Sequence, residues 1–462
     1  MHTARKRQGV WRGSFPGRLL CLSWTLSIGR GTFQVRTFAR KGRSALARLY
    51  RGHDRRRARK APPPSTRDIK ILLLHANGMG GTIRTVFTLA GHLADRHDVE
   101  IVSVLREAEE PFFPLDPRVR VRYLDDRLAP GPNPMRAMLS KLPSRLIPQE
   151  ETAYHRFSLW TDLLLARFVR SLDTGVLMAT RPGLNLVAAQ LAPPSVITVG
   201  QEHVGLQGKP DRLRELIKWR YRRLDALVTL TKADLADYRE ALPKRPGKLL
   251  RIPNAVPPMN GGVADPGAKV AVAMGRMTKL KGFHRLIRAW EQVAAAHPGW
   301  TLRIFGAGPQ EESLREQVAE AGLEGTVELP GKTADIGAEL EKASIHVMSS
   351  RHEGFSLTIL EAMAKGVAIV SFNSPHGPRE MITDGVDGLL VKPRTEDNLA
   401  AAIIRVIEDE PLRRRLAAGG RETARRYDIA AIGARWEALL EELLARRTRV
   451  TPPTPTAQPA RR

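Results

Sequence analysis

Ser344-Ile345-His346-Val347-Met348 runs into Ser349-Ser350-Arg351-His352-Glu353-Gly354-Phe355-Ser356-Leu357-Thr358-Ile359-Leu360-Glu361-Ala362-Met363-Ala364-Lys365-Gly366, and Val367-Ala368-Ile369-Val370-Ser371-Phe372 follows. Two apolar runs of strand length enclose a segment whose apolar residues recur at helical spacing. Strand, loop, helix and strand in that order form the repeating unit of a parallel sheet. The helix is predicted to open at about Ser356, where its free N–H groups and dipole make an anion site. Gly354 lets the backbone come close to a ligand. Glu353 falls in the loop at the strand's carboxyl end, where open α/β sheets bind ligands. Glu361 falls about a turn and a half into the helix. Two such carboxylates suit bidentate bonds to vicinal hydroxyls, although each alone also reads as an ordinary helix-surface or capping acid.

The same rhythm extends outward in both directions. Around this unit, strands are predicted at Val270–Met274, Thr301–Phe305, Thr326–Leu329 and Gly388–Val391. Upstream of the Gly- and Pro-containing stretch Pro257–Gly267 they are predicted at Ile69–Leu74, Val99–Leu105, Val119–Leu124, Gly175–Thr180, Ser195–Gly200, Ala226–Leu230 and Lys248–Pro253. Helix-length segments separate them, among them Thr82–Asp95, Tyr154–Leu172 and Leu213–Arg223. Helices over Asn398–Glu408, Pro411–Tyr427 and Ile429–Arg446 close the pattern, the last with Trp436, Leu439, Leu440, Leu443 and Leu444 at helical spacing. The fold class is therefore α/β, two Rossmann-like domains in tandem with a cleft between them. The expected boundaries are a basic leader at 1–66, a first domain at 67–256, a second at 257–428, a C-terminal helix at 429–446 turning back toward the first domain, and a Pro-rich tail at 447–462.

At 462 residues the chain exceeds the size at which one core stops growing, and 42% apolar content is ample for two. The formal charge of +26 suggests nucleic acid until it is mapped. Residues 1–60 carry 17 Lys or Arg against the single acid Asp54, and residues 446–462 add five Arg, which leaves the body at +5. The basicity belongs to the ends, so no nucleic-acid partner is expected for the body. Leader and tail read as disordered, the leader as an extension outside the native start ahead of two other readings, a signal-peptide core at Leu19–Ile28 or an Arg- and Ser-bearing, acid-poor transit peptide. The single cysteine, Cys21, favours a reducing compartment. No apolar run reaches the roughly 18 to 20 residues of a membrane helix, Leu19–Ile28 being too short. A cytoplasmic location is expected.

Three more constellations fall at strand carboxyl ends of the second domain. Gly275-Arg276-Met277-Thr278-Lys279-Leu280-Lys281-Gly282 can fold two cations back over a helix N-terminus, a clamp for a diphosphate. Phe305-Gly306-Ala307-Gly308-Pro309 permits a tight turn that packing alone also explains, and Leu329-Pro330-Gly331-Lys332 exposes backbone groups that could read a base edge. In the first domain, His75-Ala76-Asn77-Gly78-Met79-Gly80-Gly81-Thr82 follows a strand and opens a helix, and Gln201-Glu202-His203 follows another. Arg181 and Asn185 line the same edge and are candidates for acceptor contact.

Taken together and in this order, the motifs resemble the large family of retaining GT-B glycosyltransferases with a Glu-(seven residues)-Glu motif, which includes mannosyl-, glucosyl- and N-acetylglucosaminyltransferases of bacterial envelope synthesis. The resemblance covers roughly 69–446 and is most specific over 270–391. It implies transfer of a hexose from a UDP- or GDP-linked donor to a glycan, lipid-linked or small-molecule acceptor, with retention of configuration. Arg276 and Lys281 would neutralise the donor diphosphate, Glu361 would bind the ribose hydroxyls, and Glu353 would hold a donor-sugar hydroxyl. Backbone groups at Gly354, Phe355, Ser356 and Leu357 would meet phosphate and sugar oxygens, and Gly331-Lys332 would pair with the base. Gly80 and Gly81 would let the backbone approach the phosphate, and His203 would face the donor sugar. Glu353, His203, Arg276 and Lys281 are the expected catalytic group. Gly377-Pro378-Arg379-Glu380 departs from the family's Gly-x-Pro-Glu order, which puts the weight of Glu380 in doubt. No Asp-x-Asp motif stands in the expected loops, so no metal and no cofactor are expected.

Three other readings stand beside this one. A nicotinamide-dependent oxidoreductase needs an acid at the end of its second strand, and Arg106 stands there with Glu107 only after it. A sugar phosphorylase or epimerase of the same fold, or a non-catalytic nucleotide-sugar binder, would share the site. Arg212–Arg223 is basic and partly amphipathic, which suits peripheral contact with the inner face of a membrane as well as a solvated helix.

Overall fold

The computed structural model describes residues 63–129 and 131–450, with side chains through 448. The leader, Cys21, Leu19–Ile28 and the Pro-rich stretch from 451 lie outside these residues. The first half builds β1 (Asp68–His75), α1 (Gly81–Leu93), β2 (Asp98–Arg106), β3 (Arg120–Asp126), α2 (Pro134–Leu139), α3 (Leu159–Ser171), β4 (Val176–Ala179), α4 (Pro182–Leu191), β5 (Ile197–Glu202), α5 (Asp211–Arg220), β6 (Ala226–Thr229), α6 (Lys232–Ala241) and β7 (Lys248–Arg251). The second builds β8 (Val270–Met274), α7 (Phe283–Ala296), β9 (Thr301–Phe305), α8 (Glu311–Glu320), β10 (Val327–Gly331), α9 (Ile336–Glu341), β11 (Ile345–Met348), α10 (Leu357–Lys365), β12 (Ala368–Phe372), α11 (Gly377–Met381), β13 (Leu389–Val391), α12 (Glu396–Glu408), α13 (Glu410–Arg425) and α14 (Ile429–Val450).

These elements form two parallel-sheet α/β domains. The strand orders are β3-β2-β1-β4-β5-β6-β7 and β10-β9-β8-β11-β12-β13, with every pairing parallel. In each sheet the order reverses beside the first strand, at β1/β4 and at β8/β11. Those are the switch points where the carboxyl ends of neighbouring strands part and leave a crevice.

The strands read as continuous apolar runs because both sheet faces are covered. Along β1, Ile69, Ile71 and Leu73 pack with Val86, Phe87 and Ala90 of α1, while Leu72 and Leu74 pack on the opposite face with Leu165, Leu184 and Ile217. Along β8, Ala271 and Ala273 face Trp290 and the α12 helix, and Val272 and Met274 face Ile359 and Leu360 of α10. The first face of the first sheet is completed from far along the chain. Ile432, Trp436, Leu439, Leu440 and Leu443 of α14 join the cluster of Ile69 and Phe87, at the i, i+4, i+7, i+8, i+11 spacing of one helical stripe. The chain thus crosses between domains twice, and Val256 N–H donates to Tyr427 O at 2.8 Å where the crossings meet.

Three local expectations change. The helix predicted over Tyr154–Leu172 is a 3₁₀ turn at Tyr154–Arg156 and then α3, because Ser158 caps the second piece: its hydroxyl accepts from Thr161 N–H, and Ser158 N–H donates to the Thr161 hydroxyl. The tail does not begin at 447: α14 runs on to Val450, and Arg447 holds Asp225 at 2.7 Å. The basic segment Arg212–Arg223 is α5 followed by a 3₁₀ turn, Tyr221–Arg223, anchored by buried Leu213, Ile217 and Tyr221 with Trp219 half exposed. Among the described residues no helix is long and apolar enough to cross a membrane.

Candidate active site

The loop after β8 is held against the end of β11 by main-chain geometry. Lys281 O accepts from the Ser349 hydroxyl at 3.0 Å, and Arg351 N–H donates to Leu280 O at 2.9 Å. Gly282, φ 68°, opens α7 in the left-handed region, and a Cβ there would sit 2.4 Å from Ser349 O. The Gly306 loop braces the same segment from its other side. Gly275 N–H donates to Phe305 O and Met277 N–H to Ala307 O, and a Cβ on Gly306, φ 146°, would lie 1.9 Å from Gly275 O. The Phe305–Pro309 motif is therefore a support for the cation loop.

This bracing brings Lys281 and Glu353 together across the switch point. Lys281 Nζ donates to Glu353 Oε2 at 2.6 Å, both side chains being largely but not fully buried. Arg276, on the same loop, is exposed; its carbonyl accepts from Thr278 N–H at 2.8 Å, and its guanidinium has no hydrogen-bonding or ionic partner among the described residues. Beyond Glu353, the backbone passes Gly354 and Phe355 to Ser356, the N-cap of α10, whose hydroxyl meets Thr358 Oγ1 at 3.2 Å. The first N–H groups of α10 therefore face the same crevice, as the sequence indicates. Gly331 and Lys332 end β10 one strand beyond β9, where Gly331 O accepts from Gly306 N–H at 2.8 Å and Lys332 is exposed.

The first domain presents its own switch point to this edge. His203 O lies 3.5 Å from where a Gly354 Cβ would be, so the loop after β5 touches the Glu353–Gly354 loop. The His203 ring is pushed down to about 4 by burial and by Lys209, and its Nε2 meets Gln201 Oε1 at 3.2 Å. His75, at the end of β1, is likewise pushed down to about 4, by burial and then by the positive charges of Arg156, Arg181 and Arg276. Positive charge at the mouth and burial thus act in the same direction on these two rings, disfavouring their charged forms. Gly80 is the extended N-cap of α1 and Gly81 its first residue; neither has a close neighbour that forbids a Cβ.

Glu361 lies deeper than Glu353. It is buried in α10, 1% exposed, and Arg84 of α1 approaches it at 2.7 Å from the other domain. Burial raises the Glu361 carboxyl, and Arg84 pulls the other way. The Arg84 guanidinium also lies over the Phe113 ring, 5.3 Å from its centroid. Asn185 is corrected outright as an acceptor residue. It is fully buried, and its amide donates to Gln201 O, Glu202 Oε1 and Tyr221 OH, a network completed by Lys209 at 3.0 Å from Glu202. A side chain bonded inward on all these partners cannot reach a ligand. Arg181 remains at the rim, held by Glu151 at 2.7 Å. Glu380 caps a helix of the opposite domain, accepting from Ala233 N–H of α6 at 2.9 Å.

Sequence reasoning missed Arg84, and the only signal for it was a cation among the apolar residues of α1. It also passed over a separate cavity of about 740 Å³ at the carboxyl end of β3, lined by Arg127, Asn133, Arg136, Ser140 and Arg156. That cavity is lined by residues of the first domain alone.

Comparison with known proteins bears on the second domain and on the fold. Residues 260–423 match the family described as glycosyl transferases group 1. An exopolysaccharide phosphotransferase of Streptomyces coelicolor is 39% identical over 394 residues, 82% of this chain; the chain spans only 41% of that protein's length. Among solved structures, Staphylococcus aureus TarM in complex with fondaparinux, α-GlcNAc-glycerol and UDP superposes with a TM-score of 0.66 at 15% identity, covering 81% of this chain and all of that one. Anabaena HepE in complex with UDP and glucose superposes with a TM-score of 0.63 at 18% identity, covering 82% and 100%. The chain is thus similar to GT-B proteins in its two parallel-sheet domains, and its second domain, with the motifs gathered at the switch point, carries the match to the glycosyl transferases group 1 family.

Proposed function

We propose that the chain transfers a hexosyl group, of glucose, N-acetylglucosamine or mannose type, from a UDP- or GDP-sugar to an envelope glycan, lipid-linked or small-molecule acceptor with retention of configuration. The observation that carries this reading is the Lys281–Glu353 contact of 2.6 Å, a cation and a hydroxyl-binding acid fixed at the switch point beside the N-terminus of α10. A donor diphosphate would lie between that helix end, Lys281 and the unpaired Arg276, which would meet the negative charge that grows on it as the C1–O bond breaks. Glu353 would hold a sugar hydroxyl, and the Phe355, Ser356 and Leu357 backbone would hold phosphate and sugar oxygens. Gly331 and Lys332 would face the base. The two solved neighbours are complexes with UDP, which favours that nucleotide.

The acceptor oxygen would attack C1 from the face that the diphosphate leaves, passing its proton to the departing phosphate oxygen. The Gly80-Gly81 turn, His203 and Arg181 would close over this face and exclude water. Because the cations supply the charge, departure of the diphosphate needs no metal in this reading. The exposed basic turn at Arg220, Arg222 and Arg223 would rest on the inner face of a membrane when the acceptor is lipid-linked.

Purified protein incubated with a panel of UDP- and GDP-sugars should release nucleoside diphosphate with one of them, and Lys281→Ala should abolish the release. Absence of release with every donor, with and without acceptor extracts, overturns the reading, as does an inverted anomeric configuration in the product followed by NMR.

A further inference from the structure

A second cluster lies on the far side of the Glu353 loop and plays no part in the donor reading. Asp234 and Asp237 stand three residues apart on α6, so their carboxylates share one helix face. His376, from the other domain, faces them from the loop between β12 and α11. One ligand atom from each of the three lies within 4.8 Å of the others, and His376 Nδ1 is 3.6 Å from Asp234 Oδ1. Asp234 is 4% exposed. Its Oδ1, the Asp237 Oδ2 and the His376 Nδ1 are all buried without a hydrogen-bond partner.

Buried polar atoms almost always find partners, and a carboxylate oxygen left bare is costly. Three unpartnered polar atoms converging on one point are a stronger anomaly than one. The nearest cation does not resolve it, because Lys209 is committed to Glu202 at 3.0 Å and to the carbonyls of Val204 and Gly205. The His376 backbone sits at φ 68°, unusual for a residue with a Cβ, and it is bridged to Glu353, with Gly377 N–H donating to Glu353 O at 3.1 Å.

We infer that Asp234, Asp237 and His376 form a binding site for a divalent transition-metal ion that joins α6 of the first domain to the Glu353 loop of the second. Two carboxylate oxygens and one imidazole nitrogen suit Zn²⁺ or Mn²⁺ better than Mg²⁺ or Ca²⁺, which prefer all-oxygen sets. Three protein ligands leave room for water to complete the shell. The ion braces the two domains at the loop that carries Glu353. It is not a ligand of the donor phosphates, so the site stands or falls independently of the transfer reaction.

The test uses the full chain stripped with EDTA and titrated calorimetrically with Zn²⁺, Mn²⁺ and Mg²⁺ in turn, with thermal melts alongside. One saturable site for Zn²⁺ or Mn²⁺ is expected, with a raised melting temperature and weaker or no response to Mg²⁺. Asp237→Asn and His376→Gln should each weaken binding by at least about 10-fold to 100-fold, the loss seen even when outer-shell partners of a metal are removed. Asp237 is only partly buried, so Asp237→Asn carries the test if His376→Gln does not fold. Wild-type binding that survives both variants unchanged places the ion elsewhere and overturns the site, as does a stripped protein that takes up neither Zn²⁺ nor Mn²⁺.

Discussion

Arg84 Nη1 lies 2.7 Å from Glu361 Oε1, a contact between the first helix of one domain and the central helix of the other, with both side chains more than nine-tenths buried. Two charges removed from water are tolerable only while each has the other.

Breaking this pair should therefore cost more than replacing it. Arg84→Ala leaves a buried, unpaired carboxylate and should lower unfolding stability by about 3–5 kcal/mol in urea titrations. The double variant Arg84→Met with Glu361→Leu should recover most of that loss, giving a large coupling term in the double-mutant cycle. Additive losses would show that the two side chains do not depend on one another.

Lys281 and Glu353 form a different kind of pair, open enough to exchange partners with a ligand. Lys281→Ala should reduce turnover of nucleotide-sugar by about 100-fold to 1000-fold, as loss of one preorganised charge-stabilising group does, while the melting temperature changes little. Glu353→Gln should act chiefly on the donor KM. Wild-type kinetics in Lys281→Ala, measured by diphosphate release, would remove it from the reaction.

Two glycines separate ligand demands from fold demands. At Gly282 the φ of 68° and the Ser349 carbonyl exclude a Cβ, so Gly282→Ala should destabilise by about 1–3 kcal/mol. At Gly81 nothing lies within 4 Å of a built Cβ. Gly81→Ala should thus keep or raise stability, by up to about 1 kcal/mol, yet lower turnover by about 10-fold to 100-fold if a ligand must approach there. Unchanged turnover would mean that the turn alone, and not the donor, uses this glycine.

The acid limb of stability should report His346, which is fully buried on β11. Burial, then Lys281, holds its ring down at about 4, against 6.5 in the unfolded chain. The unfolded state binds the proton first, so stability attributable to this residue is intact above pH 6.5 and is lost as pH falls from there to about 4. His346→Leu should flatten that limb by up to about 3 kcal/mol. An identical pH profile for the variant, followed by urea unfolding between pH 7 and 4, would falsify the assignment.

Much of this protein was legible before its tertiary structure. All thirteen strands among the described residues were readable within two residues at either end, because a strand covered on both faces leaves an uninterrupted apolar run such as Ile69–Leu74 or Val270–Met274. The helix opening at Ser356 and the glycine-bearing turns could be placed for the same local reason, since capping and φ preferences act over a few residues. With strands and turns in order, the motifs had to collect at carboxyl edges.

What the tertiary structure decided is which charged side chains meet. In the sequence, Glu353 and Glu361 read as a matched pair of acids. In the fold, Glu353 faces Lys281, 72 residues away, and Glu361 faces Arg84 in the other domain. Asn185 reads as a rim residue one turn into α4, and only the packing of β5 and the Tyr221 turn shows it facing inward. Asp234 and His376 carry no mark of one another until two domains dock. The alternation of apolar and polar residues is a local consequence of burial and so is written along the chain. The partner of a charge depends on how separate elements pack, and the chain alone does not state it.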